Sequence, residues 1–152
     1  MPSVRDRIVR LAFRVGYWGL RIWWFLVRPR KVGVKCVLTS GHEVLLVRHT
    51  YGRAGQWDLP GGGVRRREEP HEAARREIRE ELGVDLPRWR LLGDLFARND
   101  YKRDHLWCYS GELDGRGLEP DRGEIAEVKW FPRDRLPVDT TGIARRVVGL
   151  SS

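Results

Sequence analysis

The polar and apolar positions of this chain change period several times, and each change marks an element. Residues 32–39, VGVKCVLT, are nearly all apolar and rich in valine, which predicts a strand. Ser40-Gly41-His42 turns the chain, and residues 43–49 predict the returning strand of a hairpin. A glycine-containing loop over 51–56 follows, then a short strand, Trp57-Asp58-Leu59-Pro60, and a glycine loop, Gly61-Gly62-Gly63. From Pro70 the period becomes helical, with Ala73, Ala74, Ile78 and Leu82 forming a narrow apolar stripe over 70–82. Pro70 suits a first helical turn, where a missing N–H has no partner to lose, and Gly83 is a natural stop. Downstream, 85–88 reads as a linker and 90–98 and 104–113 as strands. A turn is expected at 114–117, a last strand at 127–131 and a closing helix at 141–150. This order predicts an α/β domain, a mixed sheet flanked by helices.

The helix at 70–82 carries the chemistry. Glu77, Glu80 and Glu81 fall within an arc of about 100° beside the apolar stripe, while Arg75, Arg76 and Arg79 point elsewhere. Carboxylates at i, i+3 and i+4 repel one another unless a positive charge sits between them. They lie within reach of one hydrated hard cation, Mg²⁺ or Mn²⁺, which prefers oxygen ligands. A solvated helix of mixed charge would show the same residues, so the flanks decide. A strand ending at Pro60 runs into three glycines whose backbone can turn sharply and approach a ligand closely. Packing alone does not explain a glycine loop feeding an acidic helix.

The stretch 62–84 resembles the signature box of the Nudix hydrolases. That pattern is Gly, five residues, Glu, seven residues, then Arg-Glu-apolar-any-Glu-Glu-any-Gly-apolar. Gly62, Glu68, Arg76, Glu77, Ile78, Glu80, Glu81, Gly83 and Val84 fill it. Leu59-Pro60-Gly61 resembles the family's usual entry, and residues 124–131 followed by Leu136-Pro137 resemble its downstream part. Arg67 departs from the pattern, since many members carry glycine just before the first Glu.

The resemblance spans about residues 31–150 and implies an α/β/α sandwich around a mixed β-sheet. It also implies a Mg²⁺-dependent hydrolase in which water attacks phosphorus and a phosphoanhydride bond of a nucleoside diphosphate linked to another group breaks. Under it, Glu77, Glu80 and Glu81 are metal ligands, and Glu77 or a downstream Glu doubles as base. Arg76 holds neighbouring carboxylates, Glu68 is the next acid of the site, and Gly61, Gly62 and Gly63 shape the loop. Glu124 and Glu127 are either a further ligand or base, or solvated carboxylates before an edge strand. Trp57 and Tyr51 either stack on a base or belong to the core and rim. Arg48, Arg53, Arg98 and Arg103 either meet phosphates or are surface arginines. The competing classes are a module that binds nucleotide without turnover and a membrane-recruited interaction protein. The presence of every acid of the box argues against the first. The leaving group stays open among ADP-ribose, dinucleotide cofactors, nucleotide sugars and nucleoside triphosphates.

Composition changes the picture at one end only. The 152 residues suffice for one domain with a core. Cys36 and Cys108 lack CxxC spacing and read as free core thiols of a reducing, cytoplasmic compartment. His42, His49, His71 and His105 have no metal-ligand spacing and read as surface or structural. The net charge of +8 resides wholly in residues 1–35, with nine Lys/Arg against Asp6, and the remainder is neutral. Residues 4–28 contain no proline, and on a helix Arg7, Arg10, Arg14, Arg21 and Arg28 share an arc of about 60°. Val4, Ile8, Leu11, Val15, Trp18, Ile22 and Phe25 run beside them, with Trp23 and Trp24. The chain therefore divides into a basic amphipathic helix, 1–30, and a catalytic domain, 31–150. Such a helix suits an anionic membrane surface. Packing on its own domain or on a second subunit of a homodimer, and a cleaved targeting peptide, stay open. Arg14 and Arg21 argue against a bilayer-spanning helix, and no nucleic-acid-binding motif accompanies the charge.

Overall fold

A computed structural model describes residues 15, 16, 19, 32–51, 55–99, 102–114 and 117–152, with backbone alone at 98, 99, 102 and 103. The amphipathic segment expected over 4–28 lies outside the described residues except for Val15, Gly16 and Gly19, whose backbone is helical. Arg53 also lies outside them, as do the side chains of Arg98 and Arg103.

Strands β1 (Val32–Ser40) and β2 (Glu43–His49) form the expected hairpin around Gly41, whose φ of +57° suits glycine. The two strands pair at Thr39–Val44 and Ser40–Glu43 and then part. Residues 57–63 fill the gap between them. Asp58 exchanges both backbone hydrogen bonds with Val47 of β2 at 2.9 Å, and Pro60 O accepts from Cys36 N of β1. The glycine triplet is not a loop. It is strand β3 (Gly61–Gly63), antiparallel to β1 in the register Gly33–Gly63, Val34–Gly62 and Lys35–Gly61. Conversely, Trp57 and Asp58 make isolated bridges, to Thr140 and Val47, rather than a continuous strand. Glycine is a poor strand former by propensity, and here an open edge of β1 outweighs propensity by offering partners.

Strands β4 (Arg90–Asn99), β5 (Lys102–Glu112) and β6 (Ile125–Pro132) complete a sheet ordered β4-β5-β1-β2-β6. Among the described residues only the strand pair β1 and β5 runs parallel, so the sheet is mixed, as expected. Strand β6 begins two residues before the expected start. Helix α1 (Pro70–Leu82) covers one face with Ala73, Ala74, Ile78 and Leu82 against Val34, Cys36, Leu38, Leu45 and Val47. Helix α2 (Gly142–Leu150) covers the other with Ala144, Val147 and Val148 against Val37, Val44 and Leu46. Both faces of β1 and β2 are thus dry, which is why these strands read as unbroken apolar runs rather than as alternation. Full burial of Ile78 and Leu82 contributes about 1.5–3 kcal/mol each.

Local signals set the helix ends. Glu69 N donates to Glu72 Oε2 at 3.3 Å ahead of the first turn of α1. Gly83 closes the helix at φ +69°, its N–H donating to Arg79 O. Thr141 Oγ1 accepts from Ala144 N at 3.2 Å and caps α2. Cys36 and Cys108 are free and buried, as expected of core thiols.

One polar knot ties the layers together. Asp58 accepts from Lys35 Nζ at 2.7 Å, from Thr141 Oγ1 at 3.0 Å and from Leu59 N at 2.8 Å. Burial pushes this carboxyl up, but the Lys35 charge and these hydrogen bonds outweigh it and hold the group below its ordinary value. Replacing Asp58 with alanine leaves the largely buried Lys35 ammonium without a counter-charge, with Leu59 O at 3.2 Å as its remaining acceptor. Asp58→Ala is expected to lower the unfolding free energy by about 3 kcal/mol in urea titration, and Asp58→Asn by less.

Candidate active site

The site is assembled where α1 lies over β3. Glu77 and Glu81, one helical turn apart, both meet the glycine strand. Glu81 is 1% exposed, its Oε2 accepting from Gly61 N at 3.0 Å and its Oε1 lying 3.1 Å from His49 Nε2. Glu77 rests directly on Gly62, where a Cβ would stand 2.4 Å from its carboxyl carbon. Gly61, at φ +146°, is equally constrained, because a Cβ there would lie 2.2 Å from Val34 O. Gly62 therefore lets the Glu77 carboxylate lie against β3, and Gly61 lets β3 lie against β1, each more closely than a side chain would permit.

Arg76 holds the acids together. Its Nε and Nη2 grip Glu68 at 2.7 and 2.9 Å, and its Nη1 donates to Glu77 Oε1 at 2.7 Å and to Glu80 Oε2 at 3.4 Å. Nη2 also donates to Gly63 O at 2.9 Å, which ties the helix to β3. Arg65 reaches the other Glu80 oxygen at 3.1 Å. The hydrogen bonds from Arg76 hold Glu68 below its ordinary value. Glu77 goes the other way. Burial first, then the charge of Glu81, push it from 4.5 up to about 7, although Arg76 pulls it down. Burial and the negative charges of Glu81 and Glu77 also keep the Cys36 thiol neutral. A single guanidinium thus leaves excess negative charge at Glu77 and Glu81.

Glu68, Arg76, Glu77, Glu80, Glu81 and the three glycines, all named from sequence, meet here. Arg48, Trp57 and Glu127 do not join them. Trp57 is 4% exposed in the core under α2, edge-on to Phe131, with the Arg48 guanidinium 4.3 Å above its ring. Arg48 binds Glu127 at 3.0 Å and Asp139 at 2.7 Å. Glu124 precedes β6, its carbonyl accepting from Thr50 N. His49, read as surface or structural, enters the site through Glu81, and Tyr51 stands 5.5 Å from its ring. Nothing local in the sequence marks His49, because its partner is 32 residues away.

Every candidate metal ligand is a carboxylate oxygen, and two of them are buried against each other with incomplete compensation. That donor set fits a hard divalent cation. As the side chains stand, no three acidic, histidine or cysteine groups among the described residues are placed to hold one metal ion. Glu77 and Glu80 are instead turned toward Arg76.

The NUDIX domain profile matches residues 29–148. The chain belongs to the NUDIX family. It is 30% identical over 118 residues to the NAD-capped RNA hydrolase NudC of Vibrio vulnificus (strain CMCP6), covering 74% of this chain and 44% of that protein. It is 34% identical over 102 residues to a putative 8-oxo-dGTP diphosphatase of Bacillus subtilis (strain 168), covering 67% of this chain and 66% of that one. The chain thus spans less than half the length of that NudC relative. Among solved structures it resembles the MutT NUDIX hydrolase from Burkholderia pseudomallei, with a TM-score of 0.75 at 26% identity, over 82% of this chain and 100% of that one. The NUDIX box accordingly corresponds to β3, the turn after it and α1.

Glu77 links protonation to folding. The folded protein holds this proton more tightly than the unfolded chain, so the associated stability is full below about pH 4.5 and is lost as pH rises through about 7. In metal-free buffer, wild type should lose on the order of 2 kcal/mol more than Glu77→Gln between pH 5 and pH 8. Urea titrations at the two pH values measure the difference, and parallel losses would remove Glu77 as its source.

Proposed function

We propose that this protein is a divalent-cation-dependent pyrophosphohydrolase, cleaving by water attack a phosphoanhydride bond of a nucleoside diphosphate linked to another group. The observation that carries this reading is the pair of buried carboxylates, Glu77 and Glu81, held against the backbone of Gly61 and Gly62 with their charge only partly offset by Arg76. Family membership supports the chemistry, and the similarity to NudC and to the putative 8-oxo-dGTP diphosphatase supports a nucleotide-type substrate.

In this reading Glu77, Glu80 and Glu81 hold the cation, with Glu124 a candidate for a further ligand. A bound Mg²⁺ or Mn²⁺ neutralises phosphate oxygens and acidifies the attacking water. Arg76 keeps Glu68 and Glu77 aligned, and Gly62 lets the Glu77 carboxylate lie against β3. Glu77 Oε2, which takes no hydrogen bond among the described residues, is our assignment for the atom that accepts the water's proton.

The basic N-terminal sequence supports a second, separate proposal, attachment of residues 4–28 to an anionic membrane surface. No helix among the described residues is long and apolar enough to cross a membrane. Full-length protein is expected to co-sediment with phosphatidylserine vesicles, and a full-length variant with Arg7, Arg10 and Arg14 changed to serine should sediment at least tenfold less. Equal sedimentation would remove the arginines as the anchor.

The catalytic reading is tested with a panel of ADP-ribose, NAD⁺, nucleotide sugars and nucleoside triphosphates at fixed Mg²⁺, read by phosphate release after phosphatase treatment. At least one substrate should turn over, and omission of the cation should stop it. Glu80→Gln and Glu81→Gln should each lower kcat roughly 100-fold or more with the fold retained by circular dichroism. Near-wild-type rates in both would overturn the ligand assignment.

A further inference from the structure

The turn that joins β3 to α1 presents an arginine pair that the site's internal bonding leaves unused. Residues 64–68 read Val-Arg-Arg-Arg-Glu, and Arg65, Arg66 and Arg67 are all exposed. Both ends of the turn are fastened. Arg65 N donates to Glu68 Oε2 at 2.8 Å, Glu68 N donates to Arg65 O at 3.2 Å, and Arg65 itself pairs with Glu80. Glu68 is gripped by Arg76. The tip residues Arg66 and Arg67 are exposed in the turn that leads directly into Glu68 of the acidic site. Neither has a salt bridge or hydrogen-bond partner among the described residues, whereas Arg65, Arg75, Arg76 and Arg79 are all paired with acids.

Arg67 is also the one non-glycine residue with positive φ, +62°, among the described residues. It stands at the third position of the turn, where glycine is the unstrained choice. An arginine kept at a strained position, unpaired and next to a site residue, points to work done by its guanidinium rather than by its backbone. A guanidinium at the rim of a site for a diphosphate is suited to grip phosphate bidentately.

We propose that Arg66 and Arg67 determine specificity for a substrate phosphate outside the diphosphate that is cleaved. The inference rests on the pyrophosphohydrolase reading for the position of that diphosphate. The extra phosphate belongs either to a longer phosphate chain or to an internucleotide linkage, and both present the same oxygens to the pair. A cation held by Glu77, Glu80 and Glu81 would neutralise the scissile group, while the arginine pair selects for what is attached to it.

Arg67→Gly is a favourable probe because it removes the guanidinium and relieves the strained backbone together, so its melting temperature should not fall. Calorimetric titration with inorganic pyrophosphate, inorganic tripolyphosphate and a 5′-diphosphorylated dinucleotide would compare wild type, Arg67→Gly and Arg66→Ala/Arg67→Gly. Pyrophosphate affinity should stay within about twofold, while the double variant loses about tenfold for at least one of the other two ligands. Loss for tripolyphosphate assigns the pair to a phosphate chain, and loss for the dinucleotide assigns it to an internucleotide phosphate. Equal changes for all three ligands, or none, would overturn the proposal. Because the readout is binding, it stays separate from the hydrolase reading. Absence of turnover across the substrate panel would defeat that reading, whereas turnover with unchanged anion selectivity would defeat only this one.

Discussion

The Arg76 guanidinium is the contact on which the site depends. Three carboxylates and a backbone carbonyl converge on it within 3.4 Å, drawn from the turn, the helix and β3. Without a cation among them these acids would repel one another and splay into solvent. The guanidinium suits the task because its planar fork satisfies several acceptors at fixed angles while remaining charged when partly buried. Burial lowers its proton affinity, but Glu68 and Glu77 more than restore it. It compensates part of the negative charge and leaves the rest concentrated at Glu77 and Glu81.

Close approach is the second constraint. The acidic helix reaches the sheet because β3 is glycine. At Gly62 the carboxyl of Glu77 occupies the volume of a side chain, and at Gly61 the carbonyl of Val34 does. The turn after β3 has the opposite character. It takes an arginine into left-handed backbone where glycine would be relaxed, which costs about 1 kcal/mol. The same short segment therefore spends conformational freedom in two ways, once for proximity and once for an exposed charge.

Support for the site comes from far along the chain. Asp58, inserted between the two strands of the first hairpin, fixes where β3 begins and ties it through Thr141 to the cap of α2. His49, at the end of β2, orients Glu81 from the other side. Trp57 is core to this arrangement, its ring covered by Arg48 and Phe131. An aromatic residue next to a glycine motif invites a stacking role, and the α2-side core claims it first.

Much of this protein was legible from local pattern. Periodicity and caps set α1 at Pro70–Leu82 to the residue, because a proline start, an apolar stripe and a glycine stop are short-range signals. The spacing placed Glu77, Glu80 and Glu81 on one arc of that helix and turned Arg76 away from them, whereas the long Arg76 side chain folds back onto Glu68, Glu77 and Glu80. Tertiary structure decided what depends on partners distant in sequence. Gly61–Gly63 became a strand because β1 had an open edge beside it, a fact that no glycine propensity contains. The burial of Trp57, the lysine opposite Asp58 and the histidine behind Glu81 were decided by sheet order and register, which bring together residues 23 to 91 positions apart. Local propensity acts over a few residues, whereas such contacts exist only once the strands have found their neighbours.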